Sequence, residues 1–177
     1  MEYYYHKYAS RIFVRQKDVY SCGPVAIING YLWKMGNKTT KTDSEQMIDK
    51  YNKMLKLDTF QYILGTTCED GSKIKMIEKM SKHFFNYIKI NLYNDMVNYL
   101  EKGYGMIVLY ALPDKCAHYL FMFQENGYIY TINNNQRKMV ERYESYDEIK
   151  QFIYRYNHIY INDKEKIDNP VILVIVN

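Results

Sequence analysis

The chain has 177 residues, enough for one domain with a sizeable core and short for two. Hydrophobic residues make up 47% and charged residues 25%, the balance of a globular protein, which excludes the disordered and collagen-like classes. The formal net charge of +4 is small and scattered, with lysines interleaved among acids, so no nucleic-acid partner is expected.

No internal repeat, low-complexity tract or Pro/Gly/Ser linker divides the chain, and one domain over residues 1–177 is expected. Arg11 to Arg15 reads as a short extended segment, followed by a polar loop from Gln16 to Tyr20. A helix is expected from Ser21. Ser21 can cap it, Pro24 sits in the first turn where its missing N–H costs nothing, and Val25, Ile28, Leu32 and Met35 recur at helical spacing up to Gly36. Asp43 to Leu55 reads as a second helix, with Asp43 and Gln46 in capping-box positions and Met47, Ile48, Tyr51 and Leu55 on one face. A third follows Thr66-Thr67, with Ile74, Ile77 and Met80 on one side as far as about Lys82.

A short strand from Asn86 to Ile90 and a helix from about Asn94 to Lys102 come next. Tyr104 to Leu112, Ala117 to Gln124 and Tyr128 to Ile132 are rich in β-branched, aromatic and long apolar residues. Glu125-Asn126-Gly127 is a hairpin signal, so these segments are expected as adjacent antiparallel strands. Ser145 and Glu148 announce a late helix from Tyr146 to Arg155, and Val171 to Val176 is a closing strand. Helices first and strands later point to an α+β fold with segregated layers, the amino-terminal helices packed on a carboxy-terminal antiparallel sheet.

The longest apolar stretches, Met106 to Leu112 and Val171 to Val176, fall far short of the roughly 20 residues that cross a bilayer, so no membrane partner is expected. Met1 to Lys7 lacks the apolar segment of a secretory signal, and a cytoplasmic location is expected. Three cysteines, Cys22, Cys68 and Cys116, cannot all pair within the chain, which fits a reducing compartment. The 21 tyrosines could supply base-stacking platforms. Together with abundant Lys, Asn and Ile they are better read as the mark of an AT-rich coding sequence, from a bacterium or from a large DNA virus whose host cytoplasm would then be the compartment.

The segment from Gln16 to Pro24 carries three devices that serve a thiol attacking a carbonyl. Cys22, in the first turn of a helix, feels the positive end of the helix dipole, which favours the nucleophilic thiolate. Gly23 adds no side chain beside the sulfur, so an extended peptide can approach it closely. Gln16, on the loop leading in, can present its amide N–H to an oxyanion beside the backbone N–H of Cys22. Of the four histidines, only His118 lies inside a strongly predicted strand, which makes it the candidate general base. Both alternating sets of Ala117 to Met122 are apolar, so this strand is expected to be buried on both faces, and an imidazole there needs a purpose or a partner. A core histidine held by hydrogen bonds is the alternative, and the Gln16/Cys22 pattern upstream favours the catalytic reading. The hairpin beyond His118 returns to Asn133-Asn134-Asn135. One of these, Asn133 first, could accept a hydrogen bond from the imidazole and fix its tautomer, the third role of a triad.

Gln16 followed six residues later by Cys22-Gly23-Pro24 and the helix Val25-Ala26-Ile27-Ile28-Asn29 resembles the opening motif of papain-like cysteine peptidases. The closer likeness is to the double-glycine leader peptidases that trim bacteriocin precursors, and to their stand-alone relatives. Gly65-Thr66-Thr67 is similar to that family's middle landmark, and Leu100 to Leu109 resembles its helix-to-strand step before the histidine. The resemblance implies a papain-like cysteine proteinase fold, with Cys22 as nucleophile, His118 as general base, Gln16 in the oxyanion hole and the third triad residue at the end of the Tyr128 to Asn133 strand. It also implies a peptide or protein substrate cut after small residues such as Gly-Gly, with no metal or cofactor. The family usually has Asp-Pro where this chain has Asn133-Asn134, although papain-like enzymes also use Asn there. No ATP-binding cassette is attached, so a place in an export machine is not expected.

Other residues carry weaker signals. Cys116 and His118, with Cys22, could approach a metal, but a fourth ligand is missing and the spacing is not that of a structural zinc site. Cys68 stands at a helix start without a histidine or glutamine in comparable register and reads as an ordinary cysteine. His6, His83 and His158 lack any pattern and read as surface residues. The expectation is a thiol peptidase. An acyltransferase or deamidase using the same chemistry, and a catalytically silent binding module of the same fold, are the alternatives.

Overall fold

The computed structural model describes residues 3–5, 11–16, 22–36, 74–111, 117–132, 138–160 and 170–176. In chain order these form strands β1 (Tyr3–Tyr5) and β2 (Ile12–Val14), helices α1 (Cys22–Met35) and α2 (Ile74–Ser81), and strand β3 (Asn86–Ile90). Helix α3 (Tyr93–Glu101) and strands β4 (Met106–Ala111), β5 (Ala117–Glu125), β6 (Tyr128–Ile132) and β7 (Val140–Tyr143) follow, then helix α4 (Tyr146–Tyr160) and strand β8 (Val171–Val176). β1 and β2 pair with each other, Tyr3 opposite Val14. The other six strands make one fully antiparallel sheet in the order β3-β8-β4-β5-β6-β7.

The period of two along a strand divides this sheet into two faces. Odd-numbered residues of β4, β5 and β8, among them Leu109, Phe121 and Leu173, share a core with Ala26, Ile27 and Ile28 of α1 and Ile77 of α2. Even-numbered residues, among them Val108, Leu120 and Val174, share a second core with Met96 and Leu100 of α3 and Ile149 and Ile153 of α4. An α+β fold with α1 packed on an antiparallel sheet is therefore present. Beyond the expected packing of amino-terminal helices on the sheet, α3 and α4 add a third layer on the other face, as strands apolar on both sides require. β8 lies inside the sheet between β3 and β4, as its uninterrupted Val171–Val176 apolar run suits.

Local chemistry sets the ends of these elements. α3 closes on Gly103 at φ 79°, with the Gly103 N–H bonded to the Leu100 carbonyl and the Tyr104 N–H to the Tyr99 carbonyl. That paired arrangement satisfies the last helical carbonyls and turns the chain into β4. Asn126 at φ 51° and Gly127 at φ 80° make the two-residue turn between β5 and β6, the left-handed pair that matches strand twist in tight hairpins. Ser145 Oγ accepts the Glu148 N–H at 3.3 Å while Glu148 Oε2 accepts the Glu144 N–H at 2.8 Å, so the start of α4 is capped from both directions.

Two differences from the sequence reading are informative. β1 and β7 were not anticipated, since Tyr-Tyr-Tyr and Val-Glu-Arg-Tyr carry no alternation long enough to mark a strand. α4 continues to Tyr160 instead of stopping near Arg155. The expected helix at Asp43 to Leu55, the Gly65-Thr66-Thr67 landmark, Cys68, Cys116, His6 and Asn133 to Asn135 lie outside the described residues. Among the described residues no helix is long and apolar enough to cross a membrane.

Candidate active site

Cys22 is the first residue of α1, as the Pro24 and Val25-Ile28-Leu32 pattern predicts. The first turn holds no acidic side chain, so nothing on the helix opposes negative charge at its amino-terminal end. The residue is 7% exposed, which leaves the sulfur at the margin of the core. It packs in the cluster that contains Tyr119 and Phe121 of β5 and Phe13 of β2. The Tyr119 hydroxyl is pushed far above its ordinary value, first by burial and then by the negative charges of a Cys22 thiolate and of Glu78. Tyr119 is therefore a neutral phenol within electrostatic reach of Cys22.

His118 is half-buried, the second residue of β5 and directly opposite Tyr110 of β4. The two rings meet edge to face, centroids 5.7 Å apart at 88°. Tyr110 in turn packs against Phe152 of α4 at 5.1 Å, in the core on the far side of the sheet from α1. By strand parity His118 stands with Leu120 and Met122, and Tyr119 stands toward α1. The structure thus brings Cys22 together with Tyr119 and puts His118 one residue away along the strand, its ring against Tyr110. His83 is exposed, as expected.

Gln16 is half-buried and follows β2 by two residues. What fixes its level along α1 is a pair of contacts the sequence reading passed over. Arg11 Nη1 donates to the Trp33 carbonyl in the last turn of α1 at 3.0 Å, and Arg11 Nη2 binds Glu125 Oε1 at 2.9 Å. Three residues on, the Val14 N–H donates to Asn29 Oδ1 at 2.7 Å and Asn29 Nδ2 donates back to the Val14 carbonyl at 3.1 Å. β2 therefore runs antiparallel to α1, toward its amino-terminal end. The chain after Val14 thus heads, through Arg15 and Gln16, toward the end of α1 that begins with Cys22.

Asn29 was legible only as part of the helix. Its signal is a polar side chain seven residues after Cys22, on the face that otherwise buries Val25, Ile28 and Leu32. Tyr119 gave no signal beyond standing beside His118. β6 ends at Ile132 opposite Phe121, and the asparagines proposed to orient His118 follow it outside the described residues. No cluster of three or more His, Cys, Asp or Glu able to hold a metal occurs among the described residues. No protein-family model matches the chain, and no curated protein matches it.

Proposed function

We propose that the chain is a papain-like cysteine hydrolase of a peptide or isopeptide bond, with Cys22 as nucleophile and His118 as general base. Gln16 completes the oxyanion hole, and Asn133 orients the imidazole. The observation that carries this reading is the place of Cys22: first residue of a helix with no acid in its first turn, at the core margin, packed on the strand that bears His118. The helix end favours the thiolate, and the antiparallel run of β2 directs the segment with Gln16 toward that same end of α1, which supports its role in the oxyanion hole.

In this reading the imidazole turns from Tyr110 to the α1 face of the sheet and takes the thiol proton. The thiolate attacks the carbonyl carbon, and the oxyanion rests on the Gln16 amide and the Cys22 N–H. Collapse breaks the C–N bond, the imidazolium gives its proton to the leaving amine, and a thioester remains. Water, deprotonated by the imidazole, attacks the thioester, releasing the acid and regenerating the thiol. The likeness to double-glycine leader peptidases suggests a carbonyl preceded by Gly-Gly, which also suits removal of a ubiquitin-like modifier. The same thioester passed to an amine would make the chain a transferase, and attack on a glutamine side chain would make it a deamidase.

A second reading, a binding module of the same fold without catalysis, is favoured by one observation: the pairing of the His118 ring with Tyr110 on the face away from α1. A fluorogenic peptide ending in Gly-Gly, incubated with and without an added amine, separates the readings. Release that is lost in Cys22→Ala and in His118→Ala supports the hydrolase. An amide product with the amine moves the assignment to a transferase. Release that persists in His118→Ala contradicts its role as base.

A further inference from the structure

Asn29 is fully buried, and both polar ends of its side chain are spent on one residue, Val14. A helix residue that pairs with a strand backbone in this way acts as one more strand partner: it accepts the N–H and donates to the carbonyl, leaving neither group unpaired. The chain could have been held there by apolar packing alone, as Phe13 is against Phe121 and Phe123. Apolar packing fixes distance but tolerates sliding, whereas two directed hydrogen bonds fix register. The register they fix is that of the segment carrying Gln16, two residues on, relative to the helix carrying Cys22, seven residues back.

We propose that Asn29 is a positioning residue for the oxyanion site: by clamping Val14 it holds the Gln16 amide at the level of Cys22, and it touches neither substrate nor thiol itself. The proposal rests on the hydrolase reading given above. It makes Gln16 and Asn29 one unit, so that losing either loses the same donor. A misplacement of about 1 Å in such a group costs about 100-fold.

The test separates formation of the thiolate from stabilisation of the oxyanion. Alkylation of Cys22 by iodoacetamide reads the thiolate. Reversible capture by Cys22 of a peptide aldehyde ending in glycyl-glycinal, which forms a tetrahedral oxyanion, reads the hole. Gln16→Ala, Asn29→Ala, Asn29→Asp and the double variant Gln16→Ala/Asn29→Ala are compared, together with Val14→Pro, which removes the clamped N–H along with the buried Val14 side chain. The expected result is alkylation within about twofold of wild type throughout, and aldehyde affinity lowered at least about tenfold in each single variant. The double variant is expected to be no weaker than Gln16→Ala. Losses that multiply in the double variant, or aldehyde affinity unchanged in Asn29→Ala and Val14→Pro, overturn the proposal and leave the hydrolase reading standing. Wild type that is neither alkylated faster than a free thiol nor captured by the aldehyde sinks the hydrolase reading, and the proposal with it. Should Asn29→Ala not fold, Asn29→Asp, which keeps the oxygen acceptor for the Val14 N–H and loses the Nδ2 donor to the Val14 carbonyl, carries the same comparison with Gln16→Ala.

Discussion

Asn29 and Val14 are joined by two hydrogen bonds, 2.7 Å from the Val14 N–H to Asn29 Oδ1 and 3.1 Å from Asn29 Nδ2 to the Val14 carbonyl. Both residues are fully buried, so truncating the side chain strands two backbone groups away from water. Each such group costs about 1–3 kcal/mol. Asn29→Ala is expected to lose about 2–4 kcal/mol in urea unfolding, well beyond an exposed helix substitution. A loss below about 1 kcal/mol would show that water replaces the clamp.

Tyr119 predicts the alkaline behaviour of the fold. Its hydroxyl is raised by burial first and by Cys22 and Glu78 next, so the folded state keeps the proton that the unfolded chain releases near pH 10. The corresponding stability is fully present below pH 10 and is lost as pH rises above it, by up to about 1.4 kcal/mol per pH unit. Urea unfolding at pH 9 and pH 11 should show a steep loss in wild type and a smaller one in Tyr119→Phe. Equal losses in the two proteins would remove Tyr119 as the cause.

Gly105 precedes β4 where a side chain has no room. A Cβ there would stand 2.8 Å from two atoms of the Trp33 ring and 2.9 Å from the Phe121 ring. These are rigid groups packed on each other, with centroids 5.8 Å apart. Gly105→Ala is therefore expected to destabilise by about 1–3 kcal/mol, read as a lower thermal midpoint; an unchanged midpoint would show that the Trp33 and Phe121 rings give way.

Thr131 of β6 is fully buried, and its Oγ1 has no hydrogen-bond partner among the described residues. Replacing it by the isosteric Val removes an unsatisfied hydroxyl while keeping the β-branched shape. Thr131→Val is expected to raise stability by about 1 kcal/mol in urea unfolding. A loss of stability would show that the hydroxyl is bonded in solution.

The elements most legible in the sequence were those whose apolar pattern carries its own punctuation. α1 shows Pro24 in its first turn, the β5–β6 hairpin shows Asn126-Gly127, and α4 shows Ser145 and Glu148. In each case the signalling residue performs the predicted task. β1 and β7 were illegible because three and four residues are too few to show a period of two, so their strand character is set by pairing, of Tyr3 with Val14 and of Val140 with Ile132. The third layer was illegible for a related reason: apolar residues on both sides of β5 show that both faces are covered, without saying which helix covers which face. The position of Cys22 at a helix start was readable from local chemistry. The clamp through Asn29 and the face taken by His118 depend on the register between elements, which local chemistry does not specify.

The proposed hydrolase needs Cys22 to be a thiolate activated by its helix end and by His118. Its most direct test is mass spectrometry of the protein treated with iodoacetamide at pH 5.5 to 6, comparing wild type with His118→Ala. Ordinary thiols, with pKa about 8.5, react slowly there. Fast labelling confined to Cys22 and lost in His118→Ala is the expected result. Equally slow labelling of Cys22, Cys68 and Cys116 in both proteins would contradict it and leave the binding module as the reading of this fold.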